Sequence, residues 1–163
     1  MSESGGRRIK RALNLDIHSI RFCDEQMLDK FSKISLITDY IKSKQQEIVE
    51  DNQHHNYEQN LNISVRRQTN VGVFRAYIIA YLRNNSKIHQ DMTFLVRQLA
   101  PTERGLPLEI YVFSKDQAWD SYEAIQADIF DHLLAAAHEF DLRIFQNPSG
   151  YDFRSLGNME GSV

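Results

Sequence analysis

Two alternating apolar runs, joined by a loop too short to hold a helix, constrain this chain more than any other feature. Met92, Phe94 and Val96 alternate with Thr93, Leu95 and Arg97, and Leu108, Ile110 and Val112 alternate with Glu109, Tyr111 and Phe113. A period of two puts one set of side chains on each face of a strand. The connection PTERGLP, within QLAPTERGLPLEIYVFSK, leaves no room for a crossover, so the two strands must pair directly as an antiparallel hairpin. Proline restricts φ, glycine admits a left-handed turn, and Glu103 and Arg104 keep the tip wet, which suits a hairpin connection rather than an active-site loop.

The rest of the chain supplies partners for that hairpin. From Ile9 to Phe22, Ile9, Leu13, Leu15 and Ile17 share one parity and Lys10, Asn14, Asp16 and His18 the other, which predicts a long strand with one buried face. The parity switches at Ile20 and Phe22, so a bulge or the strand's end is expected after His18. Asp24 is placed to cap a helix carrying Leu28, Phe31, Ile34, Ile37, Ile41 and Ile48 in one stripe, running on into polar sequence and ending in a loop near Gln53 to Asn60. LNISVRR predicts a short edge strand. Thr69 or Asn70 caps a helix through Tyr81, with Val73, Tyr77, Ile78, Tyr81 and Leu82 on one face. Ser114 or Asp116 caps another with Trp119, Tyr122, Ile125, Ile129, Leu133, Ala136 and Phe140, and LRIF, Leu142 to Phe145, reads as a last strand.

Strand, helix, extra helix, strand, strand, helix, strand is the order of an α+β, ferredoxin-like split βαβ fold with a helical insertion after the first helix. It predicts a four-stranded antiparallel sheet with helices on one face and the other face left open. The expected division is a flexible start over residues 1–7, a domain over 8–147 with a polar insertion at 42–67, and a tail over 148–163.

Composition closes several routes. The chain of 163 residues is long enough for one ordinary core, and its net charge of -3 gives no overall pull toward nucleic acid. Cys23 is the only cysteine, which excludes an internal disulfide and a multi-thiolate metal site and points to a reducing compartment. No run of ~18 apolar residues spans a membrane, and the basic start MSESGGRRIKR lacks the apolar core of a secretory signal.

Candidate chemistry is sparse. His54 and His55 sit in a polar stretch expected to be solvated, and Asp128 and His132, four apart on a helix, form a surface pair rather than part of a zinc helix. Cys23 lies beside Asp24, which raises a thiol pKa, so it reads as an idle cysteine and not a nucleophile. No glycine-rich phosphate loop is present. Tyr111 and Phe113 share a strand face with Leu95, as RNA-binding sheets of this topology require, but the chain has no basic stripe and no RNP-type string. Charge is unevenly placed: Arg7, Arg8, Lys10, Arg11 and Arg21 stand against Asp16 alone, while Asp116 to Phe140 carries Asp116, Asp120, Glu123, Asp128, Asp131 and Glu139 without a lysine or arginine. A solvated helix face is the simplest account; complementary docking between copies or an electrostatic filter is the sharper one.

GGRRIKR, TNVGVFRAYIIAYL, IHQDMTFLVRQLAPTERGLPLEIYVF and YEAIQADIFDHLLAAAHEFDLRIFQNPSG together resemble the cytoplasmic region of the small-conductance mechanosensitive channel (MscS) family, in its longer miniconductance branch. The resemblance covers about Gly5 to Gly150. It implies a non-enzymatic domain without cofactor or metal, assembled as a heptamer in the full-length channel and a monomer or weak assembly as this piece. It also implies a role in walling a vestibule on the cytoplasmic side of the inner membrane, through which solutes leave during osmotic downshock. Neither pore helices nor the family's β domain precede SESGG, so a larger parent protein is expected. The hairpin tip, with Pro101, Glu103, Arg104, Gly105 and Pro107, then becomes a candidate subunit or vestibule contact. The rival readings are a stand-alone ferredoxin-like regulatory module binding a small ligand, and an enzyme on the same fold with a carboxylate or histidine cluster on the open sheet face.

Overall fold

In the computed structural model, which describes residues 2–3, 5–55 and 66–160, the sheet is built around the expected hairpin. Four strands, β1 (Ser2–Glu3), β2 (Gly6–Leu15), β3 (Leu95–Gln98) and β4 (Leu106–Ser114), lie in the order β1-β2-β4-β3, with every neighbour antiparallel. The register pairs Ile9 with Val112, Leu13 with Leu108 and Leu15 with Leu106. These residues are buried on the face that receives the helices, together with Ile110.

The last predicted strand survives only as a bridge between Ile144 and Leu15 on the side of β2 away from β4, held by Phe145 N–H to the Asn14 carbonyl and Asp16 N–H to the Arg143 carbonyl. Its position completes the order of a split βαβ sheet, with β2 and β4 central.

The described residues form five helices: α1 (Glu25–Ser32), α2 (Thr38–His55), α3 (Asn70–Arg83), α4 (Trp119–Ala136) and α5 (Gly150–Glu160). Several expectations need correction. The first strand stops at Leu15, where a short 3-10 turn over Ile17–Ser19 begins with the Asp16 carboxylate accepting the His18 N–H. The single helix expected after Asp24 is two, because the Thr38 hydroxyl donates to the Ser32 and Ile34 carbonyls and holds a 3-10 turn over Ser35–Ile37 between them. Ile37 and Ile41 still point inward, which is why the periodicity ran through the break unmarked. Neither Ser114 nor Asp116 caps α4; the cap position is Ala118, whose N–H donates to the Asp116 carboxylate two residues before it. The tail forms α5, with Tyr151, Phe153 and Leu156 exposed. The edge strand expected over LNISVRR falls mostly outside the described residues.

Other local rules hold. Asp24 accepts the Met27 N–H at 2.8 Å, and Thr69 accepts the Gly72 N–H at 3.1 Å, each filling an otherwise unpaired donor at a helix start. Replacing Thr69 by alanine is expected to cost about 1 kcal/mol, read as a lower urea midpoint with unchanged slope. Phe140 sits among Phe31, Phe74 and Tyr77 at centroid distances of 5.1, 5.2 and 5.3 Å, tying the end of α4 to α1 and α3.

Candidate functional site

The hairpin tip is built by a two-way pairing of Thr102 and Gly105, each N–H donating to the other's carbonyl, while Arg104 N–H donates to the Thr102 hydroxyl. Of the five residues singled out there, Pro101, Glu103 and Arg104 are exposed. Gly105 and Pro107 are buried within the domain, Gly105 against Leu15 and Pro107 opposite Asn14 in the sheet. Only the first three can meet another molecule.

The titratable candidates do not converge. His54 and His55 close the last turn of α2, not a loop, and His55 Nδ1 lies 2.9 Å from the Asp51 carbonyl oxygen. His132 does not pair with Asp128: its Nε2 lies 2.6 Å from the Tyr77 hydroxyl and its ring stacks on Tyr81 at 4.3 Å. Burial first, then the nearby Asp128 carboxylate and Tyr77, hold the Tyr81 phenol above its ordinary range. Among the described residues no group of three or more histidine, cysteine or carboxylate side chains could hold a metal ion.

Cys23 is 4% exposed, and burial followed by the charge of Asp24 pushes its thiol from 9.0 up to about 11. The native state therefore keeps this proton at pH values where the unfolded chain has lost it. The contribution is fully present below pH 9 and is lost as pH rises through about 11. Urea midpoints across that window are expected to fall more for the native sequence than for Cys23→Ala; parallel profiles would contradict this origin.

Two of the concavities among the described residues lie beside α1. One, of about 420 Å³, lies between α1, α2 and the strap at 66–68, with Leu28 and Ile48 on its apolar side and Arg66 and Arg67 on its polar side. Gln68 lines it, 6% exposed, donating to the Gln45 side chain while its own Oε1 has no partner among the described residues. The other, of about 400 Å³, is lined by Lys30, Ile34, Tyr77, His132, Glu139 and Phe140.

The sheet sorts the basic residues of β2 by parity. Arg7 lies over Trp119 and Tyr122 at 4.3 and 4.4 Å, and Arg11 lies over Phe130 at 4.6 Å, all on the helix side. Arg21 is paired with Asp141 at 3.0 Å. Arg8 and Lys10 point to the open face, where they oppose Phe113 and Tyr111 in the ladder. Leu95 opposes Tyr111 from the far side, and Arg97 holds Glu109 at 2.8 Å. The face away from the helices is therefore mixed, with Phe113 buried, Leu95 46% exposed, and Arg8 and Lys10 around Tyr111. The alternation of Lys10 and Asn14 with the buried set already signalled that these residues lie opposite the core.

No helix among the described residues is long and apolar enough to cross a membrane. A model of the family described as mechanosensitive ion channel MscS, C-terminal, matches residues 59–144, more than half of the chain. The match takes in α3, both strands of the hairpin and α4, and ends at the Ile144 bridge.

Proposed function

The chain belongs to the mechanosensitive ion channel MscS C-terminal family, and from that premise we propose that it is the cytoplasmic α/β domain of a channel of the miniconductance branch. It acts without catalysis. Copies of it wall the vestibule on the cytoplasmic side of the inner membrane and support a heptameric assembly that releases solutes when tension rises. The family match carries this reading, and the antiparallel sheet of order β1-β2-β4-β3 with its helices agrees with it. Pro101, Glu103 and Arg104, exposed at the hairpin tip, are subunit or rim contacts in this arrangement.

The test is the parent gene. Its product, expressed in bacteria lacking their own mechanosensitive channels, is expected to restore survival of osmotic downshock and to give tension-gated currents in excised patches. An open reading frame without transmembrane segments ahead of this domain, or a full-length product without such currents, would overturn the reading.

One observation favours the rival, a regulatory module binding a small ligand: Gln68 Oε1, beside the 420 Å³ concavity, has no donor among the described residues. A thermal-shift screen of amines and zwitterions, with Gln68→Leu as control, decides it.

A further inference from the structure

The outer side of α4 is an acidic face. Asp120, Glu123, Asp128 and Asp131 are exposed, with exposed Ala124 and Ala127 between them, while Ile125, Ile129 and Leu133 point the other way into the core. Spacings of three, four, seven and eight put these six residues on one side of the helix. None of the four carboxylates has a lysine, arginine or histidine within ion-pair distance among the described residues.

The opposite layer carries the complement. Arg8 and Lys10 are exposed on the open sheet face, about 6 Å from the Tyr111 ring, and have no carboxylate partner among the described residues. The other two arginines of β2, Arg7 and Arg11, are already engaged by aromatic rings of α4. The fold thus consumes the cations on its helix side and leaves those on its sheet side.

We propose that the acidic face of α4 in one copy docks on the sheet face around Tyr111 of the next. The two surfaces lie on opposite layers of the domain, so one copy cannot satisfy itself. Between copies, Arg8 and Lys10 meet the α4 carboxylates, while Ala124 and Ala127 leave room for the half-exposed Tyr111 and for Leu95. A contact joining two different patches runs head to tail, and it closes into a ring when the rotation between copies allows. Like charges disfavour the two-fold alternatives, in which sheet face meets sheet face or helix meets helix. The inference rests on the assembly reading above and names the surfaces that assembly uses.

Light scattering of the full chain over a concentration series tests it. Self-attraction is expected at roughly 20 mM salt and is expected to fade at roughly 500 mM, where the Debye length drops to a few Å. The double reversals Asp128→Lys with Asp131→Lys, and Arg8→Glu with Lys10→Glu, are each expected to weaken self-association by about tenfold or more. An equimolar mixture of the two variants is expected to associate again, because each then presents one native and one reversed surface that fit the other. The neutral pairs Asp128→Asn with Asp131→Asn, and Arg8→Gln with Lys10→Gln, give the same ranking if a reversal fails to fold by circular dichroism.

No attraction in the native chain at millimolar concentration overturns the proposal, as does a mixture that stays apart when both variants are folded. Binding of a single-stranded oligonucleotide through Arg8 and Lys10 in place of self-association overturns it as well. Association indifferent to all these changes overturns the surfaces while leaving the channel reading, which stands or falls on the patch currents.

Discussion

Gly105→Ala is expected to remove about 3 kcal/mol of stability, moving the urea midpoint down by roughly 1–2 M. Gly105 has φ +92°, a region that side chains with a Cβ rarely adopt, and an added Cβ would run into the backbone carbonyl oxygen of Leu15. A carbonyl in the central strand cannot swing aside as a side chain would. The clash falls where β4 begins its pairing with β2, at Leu106 opposite Leu15. The damage should therefore reach the central ladder, and fast amide exchange at Leu106 and Leu108 would report it. An unchanged midpoint would show that the hairpin tip can re-form around a Cβ.

Asn70→Ala is expected to cost a similar amount, about 3 kcal/mol, by stranding several buried backbone groups at once. The Asn70 side chain is fully buried; its amide nitrogen donates to the carbonyls of Ser19 and Phe140, and its oxygen accepts the Arg21 N–H. It thereby ties the turn after β2 to the end of α4 at the head of α3. Asn70→Asp should be at least as damaging, because a carboxylate still serves Arg21 but turns an acceptor toward two carbonyl oxygens. If aspartate proved milder than alanine, this account of the amide's role would be wrong.

Asn70 also shows where reading the chain stopped. The pair Thr69-Asn70 ahead of an apolar run marks a helix start, and either residue has the chemistry of a cap. The structure gives the cap to Thr69 and makes Asn70 a hub. Its three hydrogen bonds join residues 49, 51 and 70 positions away, and no local pattern carries that information. His132 teaches the same lesson. Its neighbour at helical spacing, Asp128, is the natural guess, yet the ring goes to Tyr77 and Tyr81 on the facing helix. The break at Ser35–Ile37 escaped for a different reason: a 3-10 turn keeps Ile37 inward, so the hydrophobic stripe does not register the change of helix.

The sequence by itself determined the antiparallel hairpin, the buried faces of β2, α3 and α4, the inert environment of Cys23 and the α+β order of elements. These rest on alternation, helical spacing, turn chemistry and adjacent charges, all short-range. Only the tertiary structure decided which cations remain for a partner. Arg7, Arg8, Lys10 and Arg11 are consecutive or nearly so in sequence, which marks the start of the chain as basic without saying which faces these charges reach. Strand pleating splits them between two faces, and packing of α4 against one face engages Arg7 and Arg11 with Trp119, Tyr122 and Phe130. What is left, Arg8 and Lys10 beside Tyr111, follows from the register of β2 on β4, a distance of about a hundred residues that no window of local sequence spans.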